Sequence, residues 1–130
     1  MKNSIFIILK YLYSLSLIVL LILYLFPGSL IGYFLYGNLN KQPDLISNPI
    51  GTSINHTIYF IWLTILGLII KFEINYKFNK IYLLFFLSIF LEILHLIIPN
   101  RAFEYYDLFA NVLGVFIGIL IYKIFLWCKN

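Results

Sequence analysis

Four apolar stretches, at about residues 5–26, 54–70, 81–98 and 107–127, are separated by polar or turn-rich connections, and none shows the apolar–polar alternation of a half-buried strand. A helix needs roughly 20 apolar residues to cross the hydrocarbon core of a bilayer, and in lipid only a helix or a closed barrel satisfies its own backbone. The pattern therefore predicts an all-α polytopic membrane protein, a bundle of four transmembrane helices forming one integral membrane domain over residues 1–130. Lys10 interrupts the first stretch and no small-residue cleavage pattern precedes Pro27 and Gly28, so this stretch is expected to stay as a helix rather than to be removed as a secretory signal. The connection 27–53 carries Leu30, Ile31, Tyr33, Phe34, Leu35 and Tyr36, an apolar piece too short to span. It predicts either a short interfacial or re-entrant helix lying over the bundle, or a loop whose aromatics rest at headgroup level.

Composition sharpens this reading. Hydrophobic residues make up 63% and charged residues 11%, with mean hydropathy +0.99, against about half and a quarter in a soluble domain. Little is left for a separate soluble domain. If the amino terminus is cytoplasmic, Lys2, Lys10, Lys71, Lys77, Lys80, Lys123 and Lys129 face the cytoplasm, and Lys41 and Arg101 face outward. That bias predicts a multi-pass protein of the cytoplasmic (inner) membrane with both termini cytoplasmic. The net charge of +4 then marks contact with anionic membrane lipids, and no nucleic-acid partner is expected, because the basic residues do not cluster with exposed aromatics. A single cysteine, Cys128, excludes an internal disulfide.

Against this apolar background the polar residues stand out. With the topology above, His56, Glu92, His95, Arg101, Asp107 and Asn111 fall in one outward-facing layer, where Glu92 lies roughly 10 Å deeper than Pro99 along its helix. Ionisable groups inside a membrane mark function more often than not. Glu92 and His95, three apart, share a helix face; Asp107, Asn111, Gly114 and Gly118 run down one stripe. Ala110, Gly114 and Gly118 form a small-residue surface for close helix packing, expected to receive the third span and so to set Glu92 beside Asn111. Plainer roles exist for each polar residue. Glu92 can be a protonated buried acid hydrogen-bonded to His95, and Arg101 and Asp107 can form a surface ion pair, or Asp107 can cap the fourth span. Glu92-x-x-His95 is like one half of a di-iron helix motif whose second half is missing, and only His56 and Asp107 could complete a metal site. No metal or other cofactor is expected, and no P-loop, dinucleotide or nucleophile-elbow pattern occurs.

The arrangement Glu92-x-x-His95, Pro99-Asn100-Arg101, Asp107-x-x-x-Asn111-x-x-Gly114-x-x-x-Gly118 resembles the C-terminal signature of the VanZ-like membrane proteins, with His56 followed by Tyr59 and Phe60 upstream. The resemblance runs from about His56 to Gly118. The family commonly has glutamine at the position of His95, and an Asp-Lys pair where this chain has Thr52 and Ser53. It implies a bacterial multi-pass envelope protein, linked at family level to glycopeptide (teicoplanin) resistance. Three classes of function stay open. One is a binding protein for a lipid headgroup, a lipid-linked cell-wall precursor or a partner membrane helix. Another is a small intramembrane enzyme using Glu92 or His95 as acid or base, with Asn111 and Arg101 stabilising negative charge. The third is a proton-coupled carrier, disfavoured by the small number of spans.

Overall fold

The computed structural model describes residues 2–42, 51–73 and 80–129. Within them the chain is helical: α1 (Lys2–Leu25), α2 (Leu30–Tyr36), α3 (Gly51–Glu73), α4 (Lys80–Leu94) and α5 (Tyr105–Lys129). The far part of the 27–53 connection and the basic turn containing Lys77 lie outside the described residues.

Three of the helices, α1, α3 and α5, are long and apolar enough to cross a membrane. Of the four spans expected from the sequence, the third corresponds to the shorter apolar helix α4. The third apolar stretch is helical only to Leu94, and its last residues, up to Ile98, form turns. The hydrogen bonds tell why. His95, Leu96 and Ile97 donate their amides to the carbonyls three residues back, at 2.9–3.1 Å, so the helix tightens as it ends. Pro99 then disfavours helical geometry at Ile98. Pro99 and Asn100 occupy the centre of a turn closed by Arg101 N–H to Ile98 carbonyl at 3.3 Å. The φ of +58° at Asn100 suits the third position of a type II turn, where asparagine is among the few side chains tolerated.

Helices α3 and α5 are the main packing pair, and the buried core draws on α1, α3, α4 and α5. Phe60, Leu63 and Val115 are fully buried there. A Cβ at Gly114 would sit 2.6 Å from the Thr57 carbonyl oxygen and 2.8 Å from Phe60 Cβ; one at Gly118 would sit 2.7 Å from Thr64 Cβ. The small-residue surface of Ala110, Gly114 and Gly118 therefore receives α3, and the expectation that it receives the third apolar stretch is corrected. Sequence adjacency put α4 there; steric fit puts α3 there, and Thr57 Oγ1 donates across the seam to the Ala110 carbonyl at 3.2 Å. Helix α4 packs on another side of α5, with Phe85 edge-on to Phe116 at 5.0 Å between centroids. Helix α1 is held to α3 by Tyr59 Oη donating to the Ser16 carbonyl at 2.9 Å and Trp62 Nε1 to Ser16 Oγ at 3.3 Å. Only 11% of its apolar window is buried, so its Ile5, Ile8, Ile18 and Ile22 point outward, as does Trp127 of α5. Polar groups inside and apolar ones outside is the arrangement lipid selects.

The short apolar piece after Pro27 forms α2. Ser29 Oγ caps it by accepting the Gly32 amide at 2.9 Å, and Gly37, at φ +67°, ends it. Gly32 is obligatory: a Cβ there would lie 1.6 Å from the Lys41 carbonyl oxygen. Ser29 N–H to Leu39 carbonyl, at 2.7 Å, folds the segment back on itself, leaving Tyr33, Phe34 and Leu35 exposed.

Candidate functional site

The end of α1, the start of α3, the end of α4 and the start of α5 meet at one end of the bundle, and their polar residues converge. Asn111, fully buried on α5, donates Nδ2 to the Ser88 carbonyl of α4 at 3.2 Å, which orients its Oδ1 the other way. Into that oxygen Tyr24 of α1 donates its hydroxyl at 2.7 Å. His56 Nδ1 of α3 lies 2.7 Å from the same hydroxyl and 3.2 Å from Asn111 Oδ1. A phenol has one proton, so toward His56 it accepts, and the imidazole proton is assigned to Nδ1. His56 Nε2 then turns its lone pair toward Asp107 Oδ2, 3.7 Å away, beyond hydrogen-bond reach. The other carboxylate oxygen of Asp107, Oδ1, accepts the Ser53 hydroxyl at 2.6 Å.

Glu92 stands beside this network with 0% exposure. Its Oε1 accepts the Glu104 amide at 3.2 Å and pairs with His95 Nδ1 at 3.2 Å. Glu104 leads into α5, since its carbonyl accepts the Leu108 amide at 3.0 Å. Glu92 thus meets an orphan donor at the positive end of α5 from a different helix, and Asp107 lies in the first turn of the same helix. Glu92 Oε2 and His95 Nε2 have no hydrogen-bond partner among the described residues. The His95 ring stacks on Tyr24, 5.3 Å between centroids, and His56 meets the same ring edge-on at 5.3 Å.

Among the described residues, Arg101 does not take the ion-pair role that is one expectation for it. It makes no described ion pair with Asp107; its Nε donates to the Phe26 carbonyl at 3.2 Å and its Nη2 to the Leu23 carbonyl. Helix α1 has no basic residue in its last turn, so the guanidinium of a distant loop supplies both the missing donors and the missing charge. Burial lowers the Arg101 pKa from its usual value. The Glu104 carboxyl is raised, first by desolvation and then by the Asp107 and Glu92 carboxylates.

A cavity of about 120 Å³ adjoins the cluster. Its polar lining includes Tyr24, Ser29, Asn55, His56, His95 and Arg101, and its apolar lining Leu20, Leu23, Leu30 and Ile31. Helix α2 thus forms one wall. The structure brings His56, Glu92, His95, Asp107 and Asn111 into one cluster, sets Arg101 at the cavity's edge against α1, and uses Ala110, Gly114 and Gly118 for packing on α3. Sequence reasoning missed Tyr24, the hydroxyl on which two of these residues converge. Its only signal was a tyrosine in the last turn of the first apolar stretch, which reads equally as an interfacial anchor. Ser88 was missed too, and Ser53 was noted only for the residue it replaces.

A family model described as VanZ/LLP1 matches residues 12–126. The match reaches beyond the motif region to take in most of α1, Tyr24 included. No curated protein and no solved structure matches the chain. With the family model covering most of its length and the motif residues gathered at one end of an apolar helical bundle, this chain belongs to the VanZ-like family of membrane proteins.

Proposed function

We propose that this protein holds the polar head of an amphiphile in the cavity beneath α2, at the outer face of the bacterial cytoplasmic membrane. In this reading α4 and the apolar turn after it complete a fourth span, both termini are cytoplasmic, and the cavity faces the compartment where lipid-linked cell-wall precursors are exposed. The family-level link to teicoplanin, a drug that acts on those precursors, fits such a position. The observation that carries the reading is the two-sided lining: Arg101, His56, His95 and Ser29 against Leu20, Leu23, Leu30 and Ile31. At about 120 Å³ the cavity has room for several water-sized groups, the scale of a headgroup fragment. The alkyl chain would stay in the bilayer beside α1. Arg101 uses two N–H donors on α1, and a guanidinium has five, so three remain to meet phosphate or carboxylate oxygens.

A second reading is favoured by the Glu92–His95 pair, whose Oε2 and Nε2 are buried without partners. Such a pair suits proton transfer on a bound headgroup. Native mass spectrometry of protein extracted in mild detergent tests the first reading: a phospholipid or polyprenyl-phosphate lipid stays bound to wild type and is lost from Arg101→Gln. Equal retention by the two would contradict it. Glu92→Gln separates the readings, because a binding protein whose Glu92 only shapes the site keeps the phenotype, whereas an enzyme loses turnover with its ligand still bound.

A further inference from the structure

We infer that His56, Glu92 and Asp107 form a binding site for one divalent transition-metal cation, of the Zn²⁺ or Mn²⁺ class. One donor atom from each residue lies within 4.8 Å of the other two. The hydrogen bonds around them divide each side chain the same way. On Asp107, Oδ1 takes the Ser53 hydroxyl and Oδ2 faces His56. On His56, Nδ1 is engaged by Tyr24 and Asn111, and Nε2 faces Asp107. On Glu92, Oε1 takes the Glu104 amide and the His95 ring, and Oε2, on a side chain with no exposure, takes nothing. Each residue is thus oriented through one atom while the other keeps a lone pair. This is how metal ligands are prepared: the second nitrogen of a ligating histidine, or the second oxygen of a carboxylate, is held by an outer hydrogen bond.

Charge and geometry agree. As metal ligands, two carboxylates and a neutral imidazole bring two negative charges, which one divalent cation cancels; buried charges are paired or coordinate metals. Arg101 does not neutralise them through hydrogen bonds, since those go to Leu23 and Phe26. A water has only two protons for three lone-pair atoms; a divalent cation engages all three and cancels both charges. An ion about 2.1 Å from His56 Nε2 and Asp107 Oδ2, which are 3.7 Å apart, would subtend an angle of about 120° at the metal. Donors bound at about 2.1 Å and at angles of about 110–120° lie about 3.4–3.6 Å apart, so a separation of 4.8 Å must close by about 1.2 Å, through side-chain rotation, when the ion enters. One imidazole with two carboxylates is a borderline-to-hard donor set, suited to Zn²⁺ or Mn²⁺ and not to Cu⁺. The site does not depend on what the cavity binds. If an anionic headgroup does enter, the cation would lie beside it.

The test uses the full-length chain carrying Cys128→Ser, which removes the exposed thiol as a competing zinc ligand, purified without a histidine tag and stripped with chelator. Zn²⁺ is titrated calorimetrically and Mn²⁺ by electron paramagnetic resonance, with no lipid ligand added. The expected result is one ion per chain. Glu92→Gln, Asp107→Asn and His56→Gln each weaken binding by at least about tenfold, and Tyr24→Phe, which releases His56 from its orienting hydroxyl, weakens it by about tenfold. Helicity and monodispersity identify any variant that fails to fold, and the remaining variants decide. Uptake far below one ion by the parent chain, or unchanged affinity in any folded ligand variant, overturns the proposal.

Discussion

Replacing Gly114 and Gly118 together by alanine probes the α3–α5 seam on which the site is mounted. At Gly114 the new Cβ would approach the Thr57 carbonyl oxygen to 2.6 Å and Phe60 Cβ to 2.8 Å; at Gly118 it would approach Thr64 Cβ to 2.7 Å. Backbone and fully buried side chains line these approaches, so the helices must part by several tenths of an ångström. Overpacking of this kind costs about 1–3 kcal/mol per site, and the better helix propensity of alanine returns about 1 kcal/mol each. The net is about 2 kcal/mol of destabilisation for the pair, a factor of roughly 30 in the unfolding equilibrium. Gly67→Ala is the matched control. The nearest neighbour of its Cβ would be the Tyr13 ring, at 3.2 Å, a looser approach than at Gly114 or Gly118, so with the same propensity gain its loss is expected to be smaller per site. Unfolding in mixed micelles with increasing sodium dodecyl sulfate, followed by circular dichroism, reads both. A double variant with the wild-type midpoint, or a Gly67→Ala loss of equal size, would refute the close α3–α5 approach.

Other residues carry their own tests. Arg101→Gln leaves the Leu23 and Phe26 carbonyls without their donor and is expected to destabilise by about 1–3 kcal/mol. Arg101→Lys restores the charge but not the two-pronged contact and recovers only part of the loss in the same assay. Gly32→Ala collides with the Lys41 carbonyl and should displace α2, raising hydrogen exchange and protease cutting across residues 29–41 with little change elsewhere. Uniform effects along the chain would contradict a local role for α2. Ser53→Ala removes the hydroxyl from Asp107 Oδ1 and is expected to cost about 1–3 kcal/mol, rescued by threonine. In cells, Glu92→Ala and Asp107→Ala should abolish the deletion phenotype's complementation at near-normal protein abundance, as quantitative blotting of membranes would show; disappearance of both proteins would mark the residues as structural.

The polar half of the site was legible because the bilayer makes it so: Glu92, His95, Asp107 and Asn111 stand out in apolar stretches where such groups are seldom placed without cause. Tyr24 was not legible, since a tyrosine near the end of a span satisfies an interfacial role just as well. Ser53 and Ser88 are small hydroxyl residues that helices in lipid accept anywhere, so their contacts appear only in three dimensions. The end of α4 was hidden by Leu96, Ile97 and Ile98, whose apolarity continues the pattern while the backbone has already left the helix. Pro99 was visible, and its effect on the residues before it is local and physical. The choice of α3 over α4 for the glycine face depends on whether Thr57, Phe60 and Thr64 fit against the bare backbone, and spacing along α5 cannot express that. Arg101 was read as an ion-pair or anion-binding residue, whereas its hydrogen bonds to α1 follow from its place after the Pro99–Asn100 turn.

The central claim is that side chains from separate helices face one another in a single buried cluster. The chain has two histidines, His56 and His95, and two aspartates, Asp44 and Asp107, so selective labelling isolates one pair. With ¹⁵N-histidine and ¹³C-aspartate in a His95→Gln, Asp44→Asn background reconstituted in lipid, solid-state rotational-echo recoupling measures His56 against Asp107. The account predicts strong dephasing, as the 3.7 Å approach of Nε2 to Oδ2 requires. Dephasing no greater than that of the same sample carrying Asp107→Asn would contradict it.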